Sequence, residues 1–191
     1  MTNLLKQIIM NQEEIREEHE YIGFFTATIL KWQRLLKPHK YKQIILDSLK
    51  YLVEQKKVKV YAFVIMPNHI HLLWKINEPY LLEDVQRDFL KFTGQAMYRD
   101  LLKNHKDILA LFRVDLKDRK YQFWKRNSLI TFLYYRKTIE QKLDYIHNNP
   151  VQGIWESAES VDKYPYSSYN FYEFDDTTIY PFLTHYMEEF E

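Results

Sequence analysis

The chain contains no cysteine among its 191 residues. That excludes a disulfide framework, a thiol nucleophile and a thiolate metal site, and it fits a reducing cytoplasm. Metal ligands are thereby restricted to His, Asp, Glu, Asn and Gln. Equally missing is an apolar run of the ~20 residues needed to span a bilayer, so no membrane association is expected. The opening Met1-Thr2-Asn3-Leu4-Leu5-Lys6 is soon interrupted and runs into the acidic stretch Glu13 to Glu20, so no signal peptide is expected. No internal repeat or low-complexity tract is visible, and the length suits one domain with extensions.

What is present is unevenly distributed. The formal net charge is +1, but residues 1–20 carry two basic and five acidic side chains, and residues 156–191 carry one basic and nine acidic. Positions 21–155 therefore hold 24 basic against 12 acidic residues, a net of +12. This divides the chain into an acidic arm (1–20), a basic domain (21–155) and an acidic tail (156–191). Clustered Lys and Arg suit a polyanion, whose phosphates release counterions on binding, while a well-solvated surface is the plainer reading. Tail residues Trp155, Tyr164, Tyr166 and Tyr169 are expected to pack back onto the domain.

Apolar patterning predicts the element order. Tyr21 to Leu30 reads as a strand, and Ile44, Ile45, Leu49, Leu52 and Val53 give His39 to Glu54 helical period. Val58 to Met66 reads as a central strand, and the turn at Pro67-Asn68 leads into a partner strand, His69 to Ile76. Leu82 to Lys103 reads as a helix with Val85, Phe89, Phe92, Ala96 and Leu101 facing inward, weakened slightly by Gly94. Tyr121 to Trp124 has strand character, and Ile139 to Asn148 reads as a third helix stopped by Pro150. Strand, helix, strand, strand, helix, strand is an α+β, ferredoxin-like order, here with a further helix appended.

Two constellations carry chemistry. His69 and His71 are spaced i, i+2 on a strand, so both imidazoles share a face while Ile70 points to the core. They read either as two metal ligands or as a partly exposed pair beside a turn. Tyr145 and Asn149 are spaced i, i+4 and share a helical face if the last turn survives Pro150, which disfavours helical backbone at Asn149. His147 and Asn148 are the alternative ligands. Sixteen tyrosines give no reason within the sequence to single out Tyr145. Arg113, Lys117, Arg119, Lys120, Lys125 and Arg126, interleaved with Tyr121, Phe123 and Trp124, offer cations for phosphates and rings for unstacked bases. Phe123 and Trp124 also read as core filling. Arg87, Lys91 and Arg99 on the second helix read first as a solvated face and, in the alternative, as DNA contacts.

Met66-Pro67-Asn68-His69-Ile70-His71-Leu72-Leu73-Trp74 resembles the histidine-hydrophobic-histidine motif of the single-tyrosine (HUH, IS200-like) transposases. Asp144 to Val151 resembles the nucleophile segment of their REP-associated branch. The likeness extends over roughly 21–185, taking in Phe24 to Ile29, Phe123 to Asn127 and Tyr166 to Ser168. It implies a ferredoxin-like domain with Tyr145 as nucleophile, His69, His71 and Asn149 as ligands of Mg²⁺ or Mn²⁺, and single-stranded DNA with hairpin ends as substrate. A phenol ordinarily ionises near pH 10, so a metal that polarises the phosphate would assist its attack. Relatives act as dimers or as monomers, so a homodimer is one implied state, and the expected location is the cytoplasm, on the nucleoid. Alternatives are a catalytically silent hairpin-binding protein, a replication or mobilisation nickase, and a metal-dependent hydrolase.

Overall fold

The computed structural model describes residues 16–152 and 157–191. Most of the acidic arm, and Trp155, lie outside the described residues. Four antiparallel strands form the main sheet: β1 (Ile22–Thr28), β2 (Val58–Ile65), β3 (His69–Ile76) and, anticipating the chain order, β6 (Leu129–Leu133). They lie in the order β2-β3-β1-β6, the ferredoxin-like arrangement. A two-stranded ribbon, β4 (Arg113–Leu116) and β5 (Arg119–Tyr121), stands apart from it.

The fourth strand of the sheet is therefore Leu129–Leu133 and not the Tyr121 to Trp124 segment. The rings of Phe123 and Trp124 turn inward, and the segment meets the end of β1 through a bridge from Trp124 to Ile29, flanked by hydrogen bonds from Leu30 N–H to Phe123 O and from Lys125 N–H to Thr28 O. Leu129–Leu133 is an edge strand paired only to β1, with Leu129 69 % exposed. Its apolar pattern is correspondingly diluted.

Helices α1 (His39–Glu54) and α2 (Leu82–Asn104) cover one face of the sheet. Pro38 starts α1, its φ already fixed near the helical value. Tyr41, Ile45 and Leu49 then step inward every fourth residue. In α2 the inward stripe is Val85, Phe89, Thr93, Met97 and Leu101. Phe92, expected inside, is 52 % exposed. Small Thr93 and Gly94 occupy the buried position instead, because Phe123 and Trp124 press against the helix there: the Trp124 indole N–H donates to Thr93 Oγ1 at 3.0 Å. A short helix, α3 (Lys106–Ala110), follows.

The opposite face carries α4 (Arg136–Asn148) with Tyr164 and Tyr186 of the tail, while Leu183 of the tail joins the core on the first face. Strand alternation divides β3 cleanly, with Ile70, Leu72 and Trp74 under α1 and α2, and Leu73 under α4. A bulge between Val60 and Ala62 shifts this parity in β2. The tail closes the outer edge of β2, which would otherwise present unpaired backbone groups. Ile65 N–H donates to Tyr166 O, Ser168 N–H to Phe63 O and Thr184 N–H to Val60 O. Tyr164 is buried there, its hydroxyl donating to Ile65 O at 2.7 Å.

Candidate active site

The turn Met66-Pro67-Asn68 delivers His69 and His71 to the α4 face of β3. Directly opposite them on β1 stand Thr28 and Thr26, in register. Both imidazoles are buried, at 6 % and 5 % exposure. Burial lowers the His69 pKa and, with the charges of His69 and Lys142, pushes His71 down to about 3. Each ring is therefore neutral at physiological pH and keeps a lone pair.

The neighbours orient those lone pairs. Asn68 is fully buried and turns its amide nitrogen toward Trp32 O at 3.5 Å, so its Oδ1 accepts from His69 Nδ1 at 2.8 Å. That leaves His69 Nε2 as an acceptor, 3.1 Å from Asn149 Oδ1. Thr26 Oγ1 engages His71 Nδ1 at 2.8 Å. The ring centroids of His69 and His71 are 4.8 Å apart.

Two acceptors 3.1 Å apart repel unless a cation lies between them or the Asn149 amide turns to donate. Adjacent ligands of an octahedral ion bound at about 2.1 Å are themselves about 3 Å apart, so the pair fits a divalent metal. Among the described residues no group of three His or carboxylate side chains forms a metal site. The Asn149 amide oxygen, beside His69 Nε2, is the residue that could add a third donor to the two imidazoles, and such a set would suit Mn²⁺ better than Mg²⁺.

The last turn of α4 does survive the proline. Asn149 has φ −54° and ψ −39°, and a 3₁₀ turn, Asn149–Val151, continues the spiral. Asn149 is consequently buried beside His69. Tyr145, one turn earlier, is 43 % exposed, its ring 5.2 Å from the His71 ring and edge-on to it. The alternative ligands point elsewhere. Asn148 donates to Asp144 O, and His147 lies on the far side of α4 against Ser168 Oγ at 3.0 Å.

Tyr145, His69, His71 and Asn149 line a single cleft of about 680 Å³. Lys125, Arg126, Asn127 and Ser128 form one of its walls. Of the other expected cations, Arg119 is outside this cleft, and Arg113, Lys117 and Lys120 are exposed on the β4–β5 ribbon. Trp124 is 6 % exposed and packs as core.

Sequence reasoning passed over Thr26, Asn68, Trp32 and Lys142. Lys142 had a readable signal, since it precedes Tyr145 by three residues on the same helical face; its ammonium lies 5.6 Å from the Tyr145 ring and 4.6 Å from Phe24. Trp32 had none. It reaches the cleft because Lys31 and Trp32 both adopt left-handed backbone, φ 54° and 58°, at a cost of roughly 1–2 kcal/mol each.

The sequence matches no protein-family model and no curated protein. Among solved structures, one of a candidate transposase from Deinococcus radiodurans R1 is similar over 67 % of this chain and 90 % of that one, at 15 % identity and a TM-score of 0.44. Another, of a REP-associated tyrosine transposase bound to a REP hairpin, is similar over 80 % of this chain and 78 % of that one, at 19 % identity and a TM-score of 0.59. The chain shares its α+β, ferredoxin-like fold with that transposase.

Proposed function

We propose that this protein is a single-tyrosine transposase of the REP-associated type, which cuts and rejoins single-stranded or hairpin DNA through Tyr145. The observation that carries the reading is the meeting of Tyr145, His69, His71 and Asn149 in one cleft, although they come from two distant segments. The fold shared with the hairpin-bound transposase supports it, as does the basic middle of the chain.

In this reading Tyr145 Oη attacks a phosphodiester phosphorus and the P–O3′ bond breaks, giving a 5′-phosphotyrosine and a free 3′-hydroxyl. The phenolic proton passes to water, to which Tyr145 is open, and the departing 3′-oxygen takes one up. A 3′-hydroxyl from another strand later attacks the same phosphorus and releases Tyr145, so bond energy is conserved. Lys142 and Arg126 supply positive charge complementary to the phosphate. Thr26 and Asn68 hold the two imidazoles in the tautomers that turn a lone pair to the cleft. A divalent ion held by His69, His71 and Asn149 supplies charge neutralisation at the phosphate.

The test incubates end-labelled single-stranded DNA carrying the hairpins that flank this gene with wild type and Tyr145→Phe, in Mn²⁺ or in EDTA. The expected result is a covalent protein–DNA adduct formed by wild type in Mn²⁺ alone. Binding without an adduct under every metal assigns the chain as a silent hairpin binder. Free 5′-phosphate products that persist in Tyr145→Phe assign a hydrolase.

A further inference from the structure

A second groove, also of about 680 Å³, meets the Tyr145 cleft along a shared wall, Lys125, Arg126, Asn127 and Ser128. The shared wall turns at Asn127, whose φ of 61° allows the chain to double back between the two. The groove runs from there across α2 to the β4–β5 ribbon. Phe123 and Trp124 make its floor. Tyr98 and Tyr121, both half-buried with ring centroids 5.4 Å apart, line it, and the Gln95 amide opens into it.

Its charge is one-sided. Arg87, Lys91, Arg119, Lys125 and Arg126 line it against one carboxylate, Asp118. Arg87 is already committed to Asp84 and Asp88 on its own helix. Lys91 forms no salt bridge among the described residues. Asp118 accepts from Arg119 and has its other oxygen 3.8 Å from Arg126 Nη2. A lone carboxylate held between two guanidiniums in this groove, one of them Arg126 of the shared wall, stands where a phosphate would stand. Cations spaced along a groove with accessible aromatic rings are what an unpaired strand requires, the backbone following the charges and the bases stacking on the rings.

We propose that this groove is a second single-strand channel, continuous with the cleft, which holds the nucleotides adjoining the phosphodiester at Tyr145, and that Asp118 occupies a phosphate position between Arg119 and Arg126 until DNA displaces it. The proposal rests on the reading that the Tyr145 cleft takes DNA. It extends the strand-contacting surface onto α2, through Lys91, Gln95 and Tyr98.

The test measures fluorescence anisotropy of a dye-labelled oligo-dT of about 12 nucleotides across a salt series, for wild type, Lys91→Ala and Asp118→Asn. Lys91→Ala is expected to weaken binding and to lower the slope of log affinity against log salt by about 1. Asp118→Asn is expected to tighten binding most at low salt. In parallel, an oligonucleotide carrying 5-iodouracil is photocrosslinked to wild type and to Tyr145→Phe, with the expected attachment in peptides containing Tyr98 or Tyr121. An unchanged salt slope in Lys91→Ala, or crosslinks confined to other peptides, overturns the channel; unchanged binding by Asp118→Asn overturns the role given to Asp118. If wild type forms the adduct and these results fail, only the channel falls. If they hold while no adduct forms under any metal, the channel stands and the Tyr145 chemistry falls.

Discussion

Replacing Ser168 with alanine removes one oxygen from a junction that joins three elements. Ser168 is fully buried, and its Oγ accepts from Phe63 N–H at 3.1 Å and pairs with His147 Nε2 at 3.0 Å. Ser168→Ala therefore strands a backbone donor of β2 and the inner nitrogen of a buried imidazole. Each unsatisfied buried group costs about 1–3 kcal/mol, and deleting the hydroxyl creates no new contact to offset this, so a loss of about 3 kcal/mol is expected. For a chain of this length that corresponds to a fall in Tm of roughly 6–12 °C. Urea unfolding checks it through a lower midpoint at unchanged slope. A cycle with His147→Ala adds a sharper criterion. If the hydrogen bond couples tail to helix, the two single losses exceed the double loss by more than about 0.5 kcal/mol. Strict additivity, or a Ser168→Ala loss below about 0.5 kcal/mol, refutes the view that this hydroxyl ties the tail to α4.

Thr26→Val keeps the shape of the side chain but removes the partner of His71 Nδ1. Mn²⁺ affinity measured by calorimetry is expected to fall roughly 10–100-fold, and urea unfolding to show a loss of about 1–3 kcal/mol as a buried imidazole nitrogen loses its partner. Asn149→Asp replaces a neutral oxygen donor by a charged one, and tighter Mn²⁺ binding is expected in the same assay. Glu189 gives a pH signature. Burial raises its pKa, but hydrogen bonds from Lys59 and Lys75 outweigh this and hold it at about 2, below the usual 4.5. Its contribution, about 2 kcal/mol after allowance for screening, is thus present above pH 4.5 and lost as pH falls toward 2. Glu189→Gln should flatten that part of the stability profile recorded by urea midpoints.

The parts of the fold legible in the sequence are those fixed by local pattern. Pro38 and the four-residue steps of Tyr41, Ile45 and Leu49 place α1, and the Pro67-Asn68 turn places the hairpin that carries both histidines. What escaped depends on partners distant in the chain. Leu129–Leu133 is a strand because β1 offers it an edge, whereas in the more strand-like Tyr121 to Trp124 segment the rings of Phe123 and Trp124 are buried against Thr93 and Gly94. In the cleft, strand spacing pairs His69 with His71, whereas the resemblance to the single-tyrosine transposases singles out Tyr145 and Asn149, helical spacing showing only that the two can share a face. Thr26 and Asn68, which orient the imidazoles, carry no such mark, because a cross-strand register and a turn conformation select them.

Tyr145 and Asn149 ride on one rigid helix, while both histidines belong to the sheet beneath it. On the proposed assignment, a displacement of α4 carries the nucleophile and the amide ligand together, so neither meets the histidines without the other. Seating that one helix is then the step that completes the proposed site.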